Sequence, residues 1–380
     1  ILSSNLVSNG DFSQEGSEEV SNGSFSQEGA EEVTNGDFSN GLSDWSVVGG
    51  SYASVDNGVL NSNNTSSGNW HSQYIGQGIS FINGKTYAVK FKARNISGNT
   101  NLRLTQQAFV IFSNNITSEF VDYTVYYTAQ HDGYQLRIFC NDSVGEFEID
   151  NVSVKEVGQD WTLGAGWSIG EDKVTSVNGG NFVTYQPALT SGKTYKISYE
   201  VKDYVSGSFS VRANSVSGAL VSANGIYTDY LTSDGIQLYL MGGGNFNGSI
   251  TNISVKEVGQ DWALGSSNVS IQENKAVYIN QSSGSNGIYQ NVLSQNKKYK
   301  VSFNVSDYQS GDITAWAGSS QNSLSNDTVS GNGLKTIKIE NSGSTNGFLV
   351  FGNNSTGNYS LDNISVVEIT DDTNLPRINY

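Results

Sequence analysis

A chain of 380 residues with 43 glycines, two prolines and a single cysteine is long enough for about two to four domains of ~100–150 residues. The lone cysteine excludes intrachain disulfides. The 20 Lys and Arg against 36 Asp and Glu give a formal charge of −16, which disfavours nucleic acid and anionic membranes as partners. No stretch approaches the 18 or more apolar residues of a membrane-spanning helix, so membrane insertion is not expected. Short runs of Val, Ile, Thr, Tyr and Phe between Asn, Gly, Ser and Asp predict an all-β protein.

The chain begins with three copies of one short segment. Val-Ser-Asn-Gly-Asp-Phe-Ser starts at Val7, and close copies start at Val20 and Val33. Only the third copy continues into a module, through Trp45, so residues 1–33 are predicted to be an arm with two extra first strands. The arm either forms short strands or is disordered through its Glu-rich links, or a spare strand pairs with an open sheet edge of a neighbouring subunit.

Two longer segments recur once in each of three units further along the chain. Apolar residues alternate in them with Lys and Ser, which predicts half-buried antiparallel strands. The middle segments are Gly84–Phe91, Gly192–Tyr199 and Lys297–Phe303, and the closing segments are Ile149–Val157, Ile250–Val258 and Leu361–Ile369. The pairs Tyr185-Gln186 and Tyr289-Gln290 also stand at matching positions, which indicates a shared structural role.

The spacing of about 100–110 residues per unit fits a β-sandwich of seven to nine strands. The first two closing segments lead directly into Gly-Gln-Asp-Trp, ending at Trp161 and Trp262, so linkers are almost absent. The sequence therefore predicts three tandem β-sandwich modules at residues 34–157, 158–258 and 259–369, followed by a tail or linker at 370–380.

These motifs resemble the carbohydrate-binding modules of the family 4 and 9 type. That family opens with an Asn-Gly-Asp-Phe strand leading to Trp, carries Gly-Lys-Thr-Tyr near its middle and closes on Asp-Asn-Val-Ser-Val. Module 1 matches at Asn35, Gly84 and Asp150, whereas modules 2 and 3 keep only the middle and closing strands. The resemblance implies jelly-roll (galactose-binding-like) β-sandwiches, as in fibre and appendage proteins of tailed bacteriophages and in secreted bacterial proteins.

Recognition of sugars needs aromatic faces for the apolar side of a pyranose and amides or carboxylates for its hydroxyls. Module 1 offers Trp70, His71, Gln73 and Tyr74 just before its middle strand. The resemblance implies that a Trp in this region is a platform residue. These four residues form the predicted glycan-binding site, with ordinary packing as the alternative for each.

A structural calcium ion is a second expectation, which comes from the resemblance. The ion would bridge the opening and closing strands, because hard cations bind carboxylate and carbonyl oxygens. Asp37 and Asp150 occupy the matching positions in module 1. Module 2 has Thr251 at the closing position, and module 3 keeps Asp362 but has a different opening.

Catalysis has little support in the sequence. The histidines His71 and His131 are isolated, and no hydrolase elbow, zinc-binding helix or phosphate loop occurs. We therefore expect no enzyme activity and a non-catalytic, glycan-binding or adhesive segment of an extracellular or virion-surface fibre. One alternative is a filament subunit whose homo-oligomer forms by strand exchange through the arm. Another is an accessory binding region of a secreted polysaccharide-degrading enzyme.

Overall fold

The computed structural model describes residues 3–49, 52–64, 73–98, 100–140, 145–179, 183–282, 286–318, 328–342, 347–353 and 355–370. These residues form strands, turns and loops, and no helix occurs among them. Accordingly, no helix that could cross a membrane is found in these ranges. The expected all-β fold built of tandem sandwiches is confirmed.

Module 1 consists of two antiparallel sheets packed face to face. Its first sheet has the order β10-β7-β12-β5-β4 and its second sheet the order β3-β6-β11-β8-β9. Phe91, Phe147 and Leu104 are among the side chains buried between them. The strands are β3 (Ser46–Val48), β4 (Tyr52–Asp56), β5 (Val59–Asn64), β6 (Tyr74–Gly78), β7 (Thr86–Gly98), β8 (Asn101–Gln106), β9 (Phe109–Asn115), β10 (Val121–Thr128), β11 (Gln135–Cys140) and β12 (Gly145–Val157); the arm before them holds β1 (Glu15–Glu18) and β2 (Glu28–Glu31).

Module 2 builds both of its layers from two long strands, β16 and β19. They pair from Thr194–Val258 at one end to Ala213–Leu238 at the other, with register shifts in between. The core between the layers includes Tyr199, Phe209 and Phe246. The strands are β13 (Trp167–Gly170), β14 (Lys173–Gly179), β15 (Val183–Pro187), β16 (Thr194–Ala213), β17 (Val216–Ser217), β18 (Gly225–Thr232) and β19 (Gln237–Val258).

Module 3 repeats the two-sheet arrangement. One sheet has the order β21-β22-β28-β24-β26 and the other β20-β23-β27-β25. Its core includes Tyr278, Phe303 and Phe351. The strands are β20 (Ala263–Leu264), β21 (Val269–Gln272), β22 (Lys275–Gln281), β23 (Asn286–Leu293), β24 (Lys297–Ser310), β25 (Ile313–Ala317), β26 (Gly333–Asn341), β27 (Gly347–Asn353) and β28 (Gly357–Glu368).

The N-terminal repeats supply the first strands of all three modules, in reverse order. We call residues 3–12 repeat 1, residues 15–25 repeat 2 and residues 28–38 repeat 3. Repeat 3 lies along β12 of module 1, repeat 2 along β19 of module 2 and repeat 1 along β28 of module 3. In each case a closing-strand amide donates to a glycine carbonyl of the repeat: Val152 to Gly36 (2.9 Å), Ile253 to Gly23 (2.9 Å) and Ile364 to Gly10 (2.8 Å).

The Asn-Gly-x-Phe sequence of the repeats is explained by this docking. In repeat 1, Asn9 and Phe12 have positive φ values of 47° and 53°. A Cβ atom on Gly10 would lie 2.1 Å from the carbonyl oxygen of Ile364, so a side chain there would clash with backbone. Each Phe then packs against the Trp that opens its module, with ring centroids 5.3 Å apart for Phe38–Trp45, 5.2 Å for Phe25–Trp161 and 5.5 Å for Phe12–Trp262.

One glutamine in each module holds the docked repeat. In module 2, Gln186 accepts from the amide of Ser21 (2.9 Å) and donates to the carbonyls of Ser21 (3.0 Å) and Asp160 (3.2 Å). Gln290 makes the same set of bonds to repeat 1 through Ser8, and Gln77 makes it to repeat 3 through Thr34. The shared role predicted for Gln186 and Gln290 is thus the capture of the first strand.

The two early repeats are therefore not spare strands. Modules 2 and 3 begin at Gly-Gln-Asp-Trp and receive from the arm the strand that they lack. Only Ser13 and Gln14 separate repeat 1 from repeat 2, and only Ser26 and Gln27 separate repeat 2 from repeat 3. Because the repeats follow one another so closely, a docked repeat places the next one beside its own module. The predicted short strands of the arm are present as β1 and β2, which pair within the same chain, and pairing with a neighbouring subunit stays a prediction.

The modules pack in a row through a repeated junction. Tyr126 of module 1 lies against Gly170 of module 2, where a Cβ atom would come within 2.8 Å of its ring. Tyr230 stands at the same strand position in module 2, opposite the residue after the middle-segment Tyr, and packs against the core of module 3. Module 3 carries Lys338 at this position. The row therefore ends in a polar residue where the earlier modules present an aromatic ring.

Candidate functional site

The second sheet of module 1 has an outer face that points away from the core. Leu136, Ile138 and Cys140 alternate into the core from β11, so the residues between them, Arg137 and Phe139, lie on the outer face. Arg137 lies opposite Gly76 on one side and Thr105 on the other, and Phe139 lies opposite Arg103. The face thus brings two guanidinium groups together beside aromatic side chains.

Tyr74 joins this face from the start of β6. Its ring centroid lies 4.3 Å from the guanidinium carbon of Arg137, which is the geometry of a cation–π contact. Gly76 allows this arrangement because a Cβ atom there would lie 3.1 Å from the Tyr74 ring. Tyr74 is only 9% exposed, so one side of its ring supports Arg137 and is not a bare stacking surface.

The predicted glycan-binding residues are only partly located by the structure. Gln73 is half-buried and directly precedes Tyr74, which lies on the outer face. Trp70 and His71 lie outside the described residues. Sequence reasoning missed Arg137 and Arg103, and the signal for them was the alternation of apolar residues along β8 and β11.

A second group of rings lies at the end of the same sheet. His131 is exposed, with its ring 5.0 Å from Phe109 and 5.5 Å from Tyr134, which is 46% exposed. Gln106 fixes this turn by donating to the carbonyl of His131 (2.7 Å). His131 thus belongs to an aromatic cluster with Phe109 and Tyr134 at the rim of module 1.

Module 2 has a comparable outer face across β15, β19 and β16. Tyr185 lies opposite Tyr239, their ring centroids are 5.7 Å apart, and Tyr239 lies opposite Arg212. All three side chains are half-buried. The Nε atom of Arg212 and the Oε1 atom of the neighbouring Gln237 are buried, and neither has a hydrogen-bond partner among the residues that the structure describes. Two tyrosines and two unsatisfied polar atoms thus share one face.

The matching face of module 3 is more apolar. Tyr289, Val350 and Trp316 form its central row, and Tyr289 meets Phe348 edge to face at 5.4 Å. Trp316 is only 3% exposed, and its Nε1 atom is buried without a partner among the described residues. The outer faces of the three modules therefore share a framework and differ in their chemistry.

Asp37 and Asp150, the predicted calcium ligands, stabilise their own turns. Asp37 accepts hydrogen bonds from the amide (3.2 Å) and the hydroxyl (3.0 Å) of Ser39, which lower the pKa of its carboxyl group. Asp150 accepts from the amide of Asn151 at 2.7 Å. Within the described part of the chain, no group of three or more His, Cys, Asp or Glu side chains is placed to hold a metal. The calcium site stays a prediction.

Comparison with known proteins identifies the first of these sandwiches. Residues 30–141 match the model of a family described as a carbohydrate-binding domain. This range includes most of repeat 3, which supplies the first strand of module 1. No curated relative matches the chain.

Several solved structures are similar to the chain at low identity. The tandem CBM22 domains of Paenibacillus barcinonensis Xyn10C are 11% identical, covering 61% of this chain and 99% of their own, with a TM-score of 0.31. A CBM4 structure is 21% identical over 36% of this chain and 99% of its own, with a TM-score of 0.26. A triple jelly roll from the turret of an archaeal virus is 14% identical over 85% and 90%, with a TM-score of 0.23. Residues 30–141, which make up most of module 1, therefore match the carbohydrate-binding domain family.

Proposed function

We propose that this chain is a non-catalytic, glycan-binding segment of an extracellular or virion-surface fibre. The observation that carries the proposal is the carbohydrate-binding domain of module 1, whose outer face holds Arg137 against the ring of Tyr74. The strongly acidic chain suits a neutral or cationic polysaccharide better than a polyanionic one, since a charge of −16 repels polyanions.

The outer face of module 1 has the chemistry that a sugar needs. A guanidinium donates several hydrogen bonds in a fixed fork, which suits the adjacent hydroxyls of a pyranose. The ring of Tyr74 packs against the guanidinium of Arg137 and holds it in place, and Gln73 directly precedes Tyr74 in the chain. Trp70 and His71, which precede them in the sequence and are separated from them by one residue, would supply the stacking ring. In this proposal Tyr74 acts as a positioning residue and Arg137 as the main polar contact.

Module 2 is the second candidate for sugar contact. Its candidate contacts are the half-buried side chains of Tyr185, Tyr239 and Arg212, which lie side by side on the outer face. Two aromatic rings beside a guanidinium offer stacking surface and hydrogen-bond donors to a pyranose. Two weak sites on one chain raise avidity by about 10²–10⁴ over either site alone when both reach one polysaccharide.

The alternative settings differ in what the arm must do. In a filament built by strand exchange, the repeats of one subunit would occupy the places on β12, β19 and β28 that repeats of the same chain occupy here. An accessory role beside a polysaccharide-degrading enzyme uses the same outer faces as a fibre does. Glycan binding is therefore the part of the proposal that the fibre and the enzyme settings share.

A glycan array followed by titration tests the proposal. We expect the intact chain to bind at least one neutral polysaccharide, with affinity lowered tenfold or more by Trp70→Ala or Arg137→Ala, a loss of about 1.4 kcal/mol. Val121→Ala is the matched control, because Val121 is exposed on the first sheet of the same module. Binding to no polysaccharide, or equal binding by all variants, would contradict the proposal.

A further inference from the structure

The two ends of the described chain lie side by side at module 3. The amide of Ser3 donates to the carbonyl of Glu368 (3.2 Å), and the amide of Glu368 donates to the hydroxyl of Ser3 (2.8 Å). Leu6 continues the pairing through its amide, which donates to the carbonyl of Val366 (2.9 Å). The adjacency follows from the reverse order of the repeats, because repeat 1 completes the last module.

Module 1 stands at the opposite end of the row. Module 2 packs on module 1 through β13 against β7 and β10, and module 3 packs on module 2 through β21 against β16 and β18. The equivalent edge strand of module 1 is β4, and among the residues that the structure describes it is not in contact with another module. Asp56 of β4 stands where module 2 has Gly170, the residue that receives Tyr126. A charged residue thus replaces the glycine of the junction at this end.

Each junction is crossed twice by the backbone. Gly158 and Gln159 lead from module 1 to module 2, while Ser26 and Gln27 cross the same boundary in the opposite direction within the arm. The crossing strands are in contact, since a Cβ atom on Gly29 would lie 2.6 Å from the side chain of Gln159. Two backbone links restrict bending and rotation more than a single linker does, so the row is held as a unit.

We infer that the chain is held at module 3 and presents module 1 as its distal tip. Any support joined through residue 3, through residue 368 or through both is attached to the same end of the row. The carbohydrate-binding domain then stands two modules away from the support, where a polysaccharide reaches it first. What the tip binds rests on the proposed function, whereas its placement rests on the docking of the arm.

Distances between paired spin labels test the placement in the full chain. Ser4→Cys and Thr370→Cys mark the two ends, and Ser54→Cys marks the free edge of module 1; all three positions are exposed. The native Cys140 does not compete for label, because it is fully buried and burial raises the pKa of its thiol to about 12. We expect a short, narrow distance for the 4/370 pair. The 54/370 distance should exceed the 4/370 distance by up to two spacings between successive repeats. One spacing is 13 residues, which spans at most about 43 Å at ~3.3 Å per residue.

Gly10→Val is the matched control, because it releases repeat 1 while leaving the modules joined. It should broaden the 4/370 distribution and leave the 54/370 distance unchanged. A 4/370 distance as long as the 54/370 distance in the unmodified arm would overturn the inference. So would a broad 4/370 distribution that Gly10→Val does not alter.

Immobilisation through the same cysteines tests the consequence for binding. A chain fixed to a surface at position 4 or 370 should capture polysaccharide equally well, and one fixed at position 54 should capture at least several-fold less. Equal capture from all three positions would contradict presentation at the tip. If the free chain binds no polysaccharide, the proposed function fails while the label distances still decide the placement.

Discussion

The indole Nε1 of Trp262 donates a 3.0 Å hydrogen bond to the carbonyl oxygen of Asn9, which lies 253 residues earlier in the chain. The same bond joins Trp161 to Asn22 at 3.2 Å and Trp45 to Asn35 at 3.0 Å. Only the last of these pairs is local in sequence. The three tryptophans therefore fasten one N-terminal segment to three successive cores.

Removing the ring that meets Trp262 should destabilise module 3 alone. Phe12 is 1% exposed within the module 3 core, and Phe→Ala at such a position costs about 3–5 kcal/mol. We expect Phe12→Ala to destabilise module 3 and to leave the stability of modules 1 and 2 unchanged. Hydrogen-exchange protection of β28, β19 and β12 reports the stability of modules 3, 2 and 1 separately. Trp262→Phe should cost less, about 1 kcal/mol for the lost hydrogen bond plus the packing change. Equal loss of protection in all three modules would contradict separate docking.

The arm should dock in order, from repeat 3 outward. A Cβ atom on Gly10, Gly23 or Gly36 would lie 2.1, 2.0 or 1.9 Å from a closing-strand carbonyl oxygen, so Val at each site prevents docking of that repeat. We expect Gly10→Val to loosen module 3 only. Gly23→Val should loosen modules 2 and 3, because repeat 1 is then no longer held beside its slot. Ser8→Ala, an exposed change within repeat 1, is the control for hydrogen exchange of β19 and β28.

Gln186→Glu should release repeat 2 more effectively than Gln186→Ala. The Nε2 group of Gln186 donates to two carbonyls, and the side chain is 4% exposed. A carboxylate oxygen in its place would face both carbonyls, and a buried charge without a partner costs about 3–5 kcal/mol. Thermal unfolding followed at module 2 measures the difference. The exposed change Gln130→Glu serves as the control. A Gln186→Glu variant as stable as the wild type would contradict the role of Gln186 in holding repeat 2.

Docking of repeat 2 should weaken in acid. Hydrogen bonds from Lys196 and Lys256 lower the pKa of Glu15 below its usual value of about 4.3. A lowered pKa in the folded state stabilises it at pH values above about 4.3, and this contribution is lost as the pH falls through the folded-state pKa. The pair is partly exposed, so its worth is at most about 1 kcal/mol. Glu15→Gln should flatten the pH dependence of module 2 stability below about pH 5, whereas an unchanged profile would show that the ion pairs do not contribute.

Calcium should stabilise module 1 if the predicted ion bridges Asp37 and Asp150. Asp37→Asn separates the two roles of this side chain, because Asn keeps the turn with Ser39 and loses the charge. We expect calcium to raise the unfolding temperature of module 1 in the wild type and not in Asp37→Asn, with a chelator reversing the effect. An unfolding temperature independent of calcium in both proteins would contradict the calcium site, and the role of Asp37 would then be to stabilise its turn with Ser39.

The sequence was sufficient for the strands that repeat and insufficient for the pairing of the arm. The alternating residues 86–91, 194–199 and 297–303 of these segments lie within β7, β16 and β24, because alternation reports directly which side of a strand is buried. Docking of Phe12 onto Trp262 depends on which surfaces meet in three dimensions. One signal was available: two modules lacked an Asn-Gly-x-Phe opening, and two copies of it preceded the first module.

The candidate site was predicted only in part for a similar reason. Aromatic residues before β6 were visible in sequence, but the guanidinium that packs on Tyr74 comes from Arg137 of β11. That strand pairs directly with β6, although Arg137 lies 63 residues after Tyr74 in the chain. In module 2, the register of β19 places Tyr239 between Tyr185 and Arg212 on the outer face. Register between distant strands is set by the folded sandwich and not by local pattern.

The reversed order of the repeats also determines how such a protein grows. Residues 158–258 look like a complete unit, yet a gene fragment with these boundaries encodes a module without its first strand. Duplication of that fragment alone would add an incomplete sandwich. A viable duplication must add two separate pieces, a further module and a matching 13-residue copy in the arm, and the three repeats of the arm accordingly match the three modules in number.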